Sequence, residues 1–364
     1  MNRLDIIGCG LISPAGDQLT AAFVGRPDPA EVTGMYEADL PKPVAHALAS
    51  FSVRAELGRK GTSFFDRRTA LTVMACNRAL ADADLRITDG NRRRTGVVLG
   101  TTAGSVKSSV DYAVDTFTQD PPYMVNPALF PNTVMNCAAG QSAIWLKLNG
   151  VNATVAGGRI AFLSVLRYCA NAFRSQQADY LLAGAVEEFT PHTAWLSHLR
   201  RADGMLPGEG GAVFVVRPGD DSSNGVRRPD AVMLAVSIGF CPNGSDRMAA
   251  IAGCVRTALA RAGVPPDQIV RAASGGADNE ATAEVSWRAV KDVLGHSNWE
   301  RLEVEPVAGD NPTATGALEL AALLALHRQR PELDGQASVL VAQNPEGAVG
   351  AAVFRGWSRD SHRG

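Results

Sequence analysis

The sequence contains no run of about 18 apolar residues, the least a membrane-spanning helix needs, so no span is expected. Neither charge sign dominates. The 35 basic and 37 acidic residues leave a net charge of −2, which argues against nucleic acid or an anionic membrane as the main partner. Basic clusters such as Arg92-Arg93-Arg94 fall in polar turns and read as solvated surface. There is no Cys-x-x-Cys pair, and the six cysteines and six histidines show no metal-ligand spacing, so no metal site is expected. A Gly-Lys-Ser/Thr phosphate loop, His-Glu-x-x-His and Gly-x-Ser-x-Gly are all missing, which closes the nucleotide, zinc-protease and serine-hydrolase routes. No carboxylate pair has acid–base spacing. Glu187 and Glu188 are adjacent, would point apart on a strand, and read as structural.

What remains is a chain of 364 residues, 46% apolar and 20% charged, the balance of a folded protein. That length suits two domains or one duplicated domain. Cys9, Cys76, Cys137, Cys169, Cys241 and Cys254 lie mostly in apolar segments and read as small buried hydrophobes of a reducing, cytoplasmic protein. The opening strand, Leu4–Ile7, is too short for a signal peptide.

Strand-like runs (Thr95–Leu99, Tyr180–Leu182, Ala212–Val216, Ala231–Ser237, Ser338–Ala342) alternate with helical patterns (Arg68–Asp82, Val134–Leu148, Ile160–Gln176, Met248–Ala262, Ala317–His327), which predicts an α/β fold. The polar stretch Pro218–Arg228 separates two parts that each open on an apolar strand. Each part also has a later strand that runs into a glycine turn, Val97–Gly104 and Ile269–Gly276. This echo predicts two similar halves, 1–220 and 221–364, with two unrelated α/β domains as the alternative. Gly8-x-Gly10 follows a strand, but the third glycine is missing, Pro14 interrupts the helix start and no acidic residue follows at the right spacing. A dinucleotide-binding reading is therefore set aside.

The most informative segment is Asn126–Glu188, with Pro131-Asn132-Thr133, Ala139-Gly140-Gln141, Leu148-Asn149-Gly150, a Gly157-Gly158 turn, a long apolar helix and Ala178-Asp179 before Ala183-Gly184. It resembles the β-ketoacyl synthases, thiolase-fold condensing enzymes, without a gap from Pro131 to Glu188. The resemblance extends to Ile7–Gly16, Phe65–Leu85, Gly100–Gly104 and Gly309–Glu319. It implies a thiolase-like fold of two similar α/β halves in a layered αβαβα arrangement. It also fixes where the family's catalytic residues should stand. The nucleophilic cysteine falls at Arg159, a side chain that stays protonated and cannot attack a thioester. Cys169 lies about three turns down the same helix and reads as core. The first histidine falls in Ala273-Ser274-Gly275, where there is none, the second at Asp310, and the lysine before it at Glu305. The family's gating loop becomes Gln343-Asn344-Pro345-Glu346-Gly347.

A ketosynthase copy without those groups resembles the chain-length factors of type II polyketide synthases, in particular the divergent ones of polyene-making systems. That resemblance implies a non-catalytic subunit that pairs with an active ketosynthase, meets an acyl carrier protein bearing phosphopantetheine, and holds no cofactor of its own. Its acyl-tunnel and interface candidates are Ala103, Val106, Val110, Tyr112, Ala113, Phe117, Phe130, Thr133 and Met135, which ordinary core packing would equally explain. Two alternatives stay open: a divergent acyltransferase with Cys137 or His192 in new roles, and a free-standing acyl- or carrier-protein-binding module. A buried arginine needs a counter-charge, so Arg159 is expected to pair with Asp310, with Glu305 sharing it.

Overall fold

A computed structural model describes residues 3–16, 28–121, 123–200, 203–219, 228–242, 246–274, 277 and 279–359. In chain order the first part holds β1 (Leu4–Ile12), β2 (Ala30–Glu31), β3 (Val44–Ala45), α1 (Val53–Leu57), α2 (Arg67–Asp82), β4 (Thr95–Thr101), α3 (Val106–Thr118), α4 (Cys137–Leu146), β5 (Asn152–Ala156), α5 (Ala161–Arg174), β6 (Tyr180–Glu187), α6 (Pro191–Arg200) and β7 (Gly210–Pro218). The second holds β8 (Ala231–Phe240), α7 (Arg247–Ala262), β9 (Ile269–Ser274), α8 (Glu280–Leu294), β10 (Glu300–Leu302), α9 (Glu305–Ala308), α10 (Thr315–Gln329), β11 (Ala337–Gln343) and β12 (Ala348–Gly356).

Among the described residues, ten of these strands form one mixed sheet, ordered β10-β9-β11-β12-β8-β1-β7-β6-β4-β5. Counted within its own half, and leaving aside the small β2–β3 pair, each set of five strands reads 3-2-4-5-1 from outer edge to centre. Strand directions match as well: β4 is parallel to β5 and β6, β9 is parallel to β10 and β11, and the remaining pairs are antiparallel. The halves join where β1 meets β8 through Leu4–Ile6. The duplicated architecture predicted from the sequence is therefore present as topology. We propose the boundary at residue 220, between β7 and β8. Residues 220–227, and the glycines at 275 and 276 of the second turn, lie outside the described residues.

Alternating side chains sort the strands into layers. On β6, Leu181, Ala183 and Ala185 face a central core while Leu182 and Val186 face an outer one. On β11, Leu340 and Ala342 face the central core while Val339 and Val341 face the outer core on the other side. The central core holds α5 and α10; α2 and α4 cover the first half, and α7 and α8 the second. This is the layered thiolase-like arrangement. Cys169 lies fully buried in α5, as expected of a core residue.

One predicted helix differs. The pattern over Val134–Leu148 becomes a helix only from Cys137, because Pro127–Thr133 winds into a tight 3₁₀ turn whose first amides are capped by Asn126. Pro131 sits inside that turn and supplies no amide hydrogen. The Gly8 and Gly10 pair has a packing role. There β1 lies so close to α2 that a Cβ on Gly10 would stand 1.9 Å from the Ala75 carbonyl oxygen and 2.6 Å from the Ala79 nitrogen. Backbone atoms cannot step aside as a flexible side chain can. Gly10→Ala is expected to lower stability by about 2–3 kcal/mol in a denaturant titration, whereas Gly253→Ala, inside α7 with nothing within 4 Å, should raise it by about 0.5–1 kcal/mol.

Candidate functional site

The start of α5 and the segment leading into α10 meet in the central layer, and the polar positions mapped from the sequence converge there. Residues Gly158–Ile160 form a single 3₁₀ turn ahead of α5, reached by a left-handed Gly158 (φ +54°) that a residue with a Cβ would adopt only under strain. The turn directs Arg159 inward, where its side chain is 4% exposed. Its Nη2 donates to Asp310 Oδ1 at 2.7 Å, and its Nη1 lies 3.6 Å from Glu305 Oε1. The first contact is a charge-assisted hydrogen bond; the second is an ion pair beyond hydrogen-bond length. An arginine at the positive end of a helix is unfavourable on its own, and here two carboxylates offset it.

Asp310 is fixed from several sides. Ser197 of α6 donates its hydroxyl to Oδ2 at 3.0 Å, the Asp310 amide donates to the Leu206 carbonyl at 2.8 Å, and its carbonyl accepts from the Gly208 amide at 3.0 Å. Asn311 then turns back to donate Nδ2 to the Ala308 carbonyl, and Thr315 donates its hydroxyl to the Asn311 carbonyl. The predicted gating loop contributes Asn344. Its Oδ1 accepts the Ile160 amide at 3.3 Å and its Nδ2 donates to the Gly157 carbonyl at 2.7 Å, so it clasps the turn that carries Arg159. Gln343 instead points into α8, bonding the Thr282 carbonyl and the Ser286 hydroxyl.

Two more carboxyls surround the site. Burial pushes the Glu187 carboxyl up, an effect moderated by Arg68 and by bonds from Thr313 and reinforced by Asp310. Glu188 is pushed up to about 7, first by burial and then by Asp66, while Ser105 and the Arg68 amide donate to its two oxygens. The two side chains do diverge, and Glu188 is tied into α2 and the start of α3, in keeping with a structural role. Arg68 is itself buried, donating to the carbonyls of Val186 and Gly100.

The alternative nucleophile is poorly placed for reaction. Cys137 is 8% exposed, burial pushes its thiol up, and it sits between the Thr69 hydroxyl and Asn132 Oδ1. A thiol so held is mostly protonated at neutral pH. His192 lies in the first turn of α6, with its Nδ1 buried and without a hydrogen-bond partner. Sequence reasoning brought Arg159, Asp310 and Glu305 together correctly. It assigned no role to Ser197, whose helix carries no recognised motif, and it placed Asn344 in the gating loop without foreseeing its clasp on the Gly157–Ile160 turn.

The nine tunnel and interface candidates lie elsewhere, on one surface. No residue of α3 is buried. Ala103, Val110, Ala113, Phe117, Phe130 and Met135 are exposed and Val106, Tyr112 and Thr133 half-buried; Phe117 is 87% exposed and Phe130 54%. Tyr112 meets Phe130 edge-on at 5.8 Å between ring centres. In this chain they are not the core packing that served as their alternative reading.

Residues 28–222 match the family model described as β-ketoacyl synthase, N-terminal domain. Among solved structures, a chain described as the ishigamide ketosynthase/chain length factor is 30% identical, with a TM-score of 0.87 covering 98% of this chain and 99% of that one. A chain from a structure of a type II PKS acyl-carrier protein in complex with its ketosynthase is 17% identical and adds likeness of fold alone, with a TM-score of 0.78 over 97% of this chain and 99% of that one. Among curated proteins, the 3-oxoacyl-[acyl-carrier-protein] synthase 2 of Coxiella burnetii is 22% identical over 87% of this chain and 84% of its own length.

The ion pair makes a quantitative prediction. Arg159→Met or Asp310→Leu alone leaves a buried charge without its partner and is expected to cost about 3–5 kcal/mol, whereas the double variant should cost well under the sum. Denaturant unfolding of the four proteins checks this; additive losses would show that the two charges are not coupled.

Proposed function

Because the chain belongs to the β-ketoacyl synthase family, we propose that it is a non-catalytic, chain-length-factor-like subunit that pairs with an active β-ketoacyl synthase in the cytoplasm and shapes the tunnel for a growing polyketide chain, polyene chains included. The observation that carries this reading is Arg159: at the position of the family's nucleophile stands a buried guanidinium held by Asp310 at 2.7 Å. Acyl transfer through the enzyme needs a nucleophile that can form and release a thioester, and a guanidinium can do neither. With Asp310 and Glu305 in place of the histidine and lysine, the neighbouring groups hold that guanidinium still rather than activate an extender unit.

The surface supports the pairing. An apolar ridge runs along α3 and the turn after it, with Val110, Val114, Phe117, Leu129, Phe130 and Met135 all exposed. Contiguous exposed apolar side chains on a soluble fold mark an interaction site, and aromatic residues are the usual anchors of one. A subunit that keeps this ridge while its own pocket is closed can still contribute wall residues to its partner's tunnel. Likeness to the ishigamide ketosynthase/chain length factor favours that kind of partner, and a ketosynthase partner brings with it an acyl carrier protein, whose phosphopantetheine serves the complex.

Co-expressed with its ketosynthase and mixed with an acylated carrier protein, the chain should co-purify with the ketosynthase and show no acyl adduct by intact mass. Phe117→Asp should leave its own stability within about 0.5 kcal/mol of the parent yet weaken association at least about tenfold. An adduct on this chain, or a chain that stays monomeric without affinity for the ketosynthase, would overturn the reading. In the reconstituted pair, Ala103→Phe or Ala113→Phe should shift products to shorter chains by mass spectrometry. Unchanged product length would remove these positions from the tunnel.

A further inference from the structure

Beside the Arg159 site, on the far side of Glu305, lies a cavity of about 760 Å³ between α8, α9, the start of α10 and the segment at 203–205. That volume falls within the range of pockets that hold small organic molecules. Its charge is one-sided. Of the charged side chains lining it among the described residues, Asp203, Glu280, Glu284, Glu303, Glu305 and Glu319 are acidic and Arg301 alone is basic. The whole chain carries a net charge of only −2, so the acid is concentrated here.

The acidic residues are graded by depth. Asp203, Glu280, Glu284 and Glu303 are exposed at the mouth, Glu305 is half-buried, and Glu319 lies deepest, 1% exposed. Glu319 Oε2 is buried with no hydrogen-bond donor in reach. A buried carboxyl oxygen left without a donor is costly, and a lining position is where an incoming donor could satisfy it. Burial, then Glu305 and Glu303, push the Glu319 carboxyl well above its ordinary range. The wall already accommodates one guanidinium, with Arg301 lying over the Trp287 ring at 4.8 Å. Among the described residues no three of these carboxylates or of other His, Cys, Asp or Glu side chains are gathered so that they could hold a metal ion, so the spread-out donor set suits an organic cation better than a bare metal ion.

We infer that this cavity binds a small organic cation bearing an ammonium or guanidinium group, with Glu319 as its deepest counter-charge and hydrogen-bond acceptor. The ligand's N–H groups would reach Glu319 Oε2, while the carboxylates at the mouth draw the cation in from solution. The site does not depend on pairing with a ketosynthase, so its failure and the failure of that reading are separate results.

The pH dependence follows from the groups that face Glu319: Glu305 and Glu303 beside it, Asp203, Glu280 and Glu284 around the mouth, and the cations Arg301 and, beyond Glu305, Arg159. In the empty cavity Glu319 keeps its proton above the ordinary carboxylate range, and a bound cation favours the ionised form. Binding should therefore release a proton and strengthen as pH rises through that interval.

Isothermal titration of the full chain with agmatine, which carries both a guanidinium and an ammonium, tests this against 1,4-butanediol as an uncharged control. Agmatine should bind with a dissociation constant at or below about 1 mM at low salt, with heats that differ between buffers of different ionisation enthalpy; butanediol should give none. Glu319→Gln should weaken agmatine at least about tenfold and abolish the buffer dependence, which attraction to the surface alone would not do. Absence of binding at about 10 mM agmatine, or binding equally tight in Glu319→Gln, overturns the inference. Should Glu319→Gln fail to fold, the parent chain titrated with agmatine in two buffers of different ionisation enthalpy takes its place, and binding without proton release overturns the inference likewise.

Discussion

Helices α5 and α10 are held between the two halves of one sheet, and almost every side chain of α10 is removed from water. Their burial fixes how the polar parts of the centre must be arranged. The two helices begin close together, at the turn that carries Arg159 and the segment that carries Asp310, so any charge placed at those beginnings is enclosed. Water cannot solvate it there. It must find an opposite charge or a hydrogen bond inside the protein, and the Arg159, Asp310, Glu305 and Ser197 arrangement supplies both.

The duplicated halves are used unequally. In the first, α5 starts at a turn clasped by Asn344 from the second half, and the outer side of that half carries the unburied helix α3. In the second, α8 and α9 border an acidic cavity. The same strand order therefore supports an exposed apolar helix in one half and a polar recess in the other. This is the usual relation of fold to function, with the scaffold conserved and the sites built upon it.

Much of this was readable in the sequence, for physical reasons that differ from element to element. Strands such as Leu181–Val186 announce themselves because both their faces are buried, giving an unbroken apolar run. Arg159 was located because an ungapped register carries residue positions across even when residue types change, and Asp310 and Glu305 because the resemblance over Gly309–Glu319 fixes their places. The exposure of α3 was not readable. Val106, Val110 and Ala113 have the spacing of a helix face, and that spacing is the same whether the face meets a core or a partner chain. Ser197 and the clasp made by Asn344 escaped for a related reason: each acts on residues more than a hundred positions away, and no local pattern encodes such a contact.

The clasp by Asn344 bears on how this centre could change over evolutionary time. A cysteine at position 159 would leave Asp310 enclosed without its cation, while the Ile160 amide would stay bonded to Asn344. Each single reversal is a step downhill in stability that brings no chemistry with it. Arginine, aspartate and asparagine thus act as one unit: replacing any one of them leaves a charge or a hydrogen bond of this centre unmet.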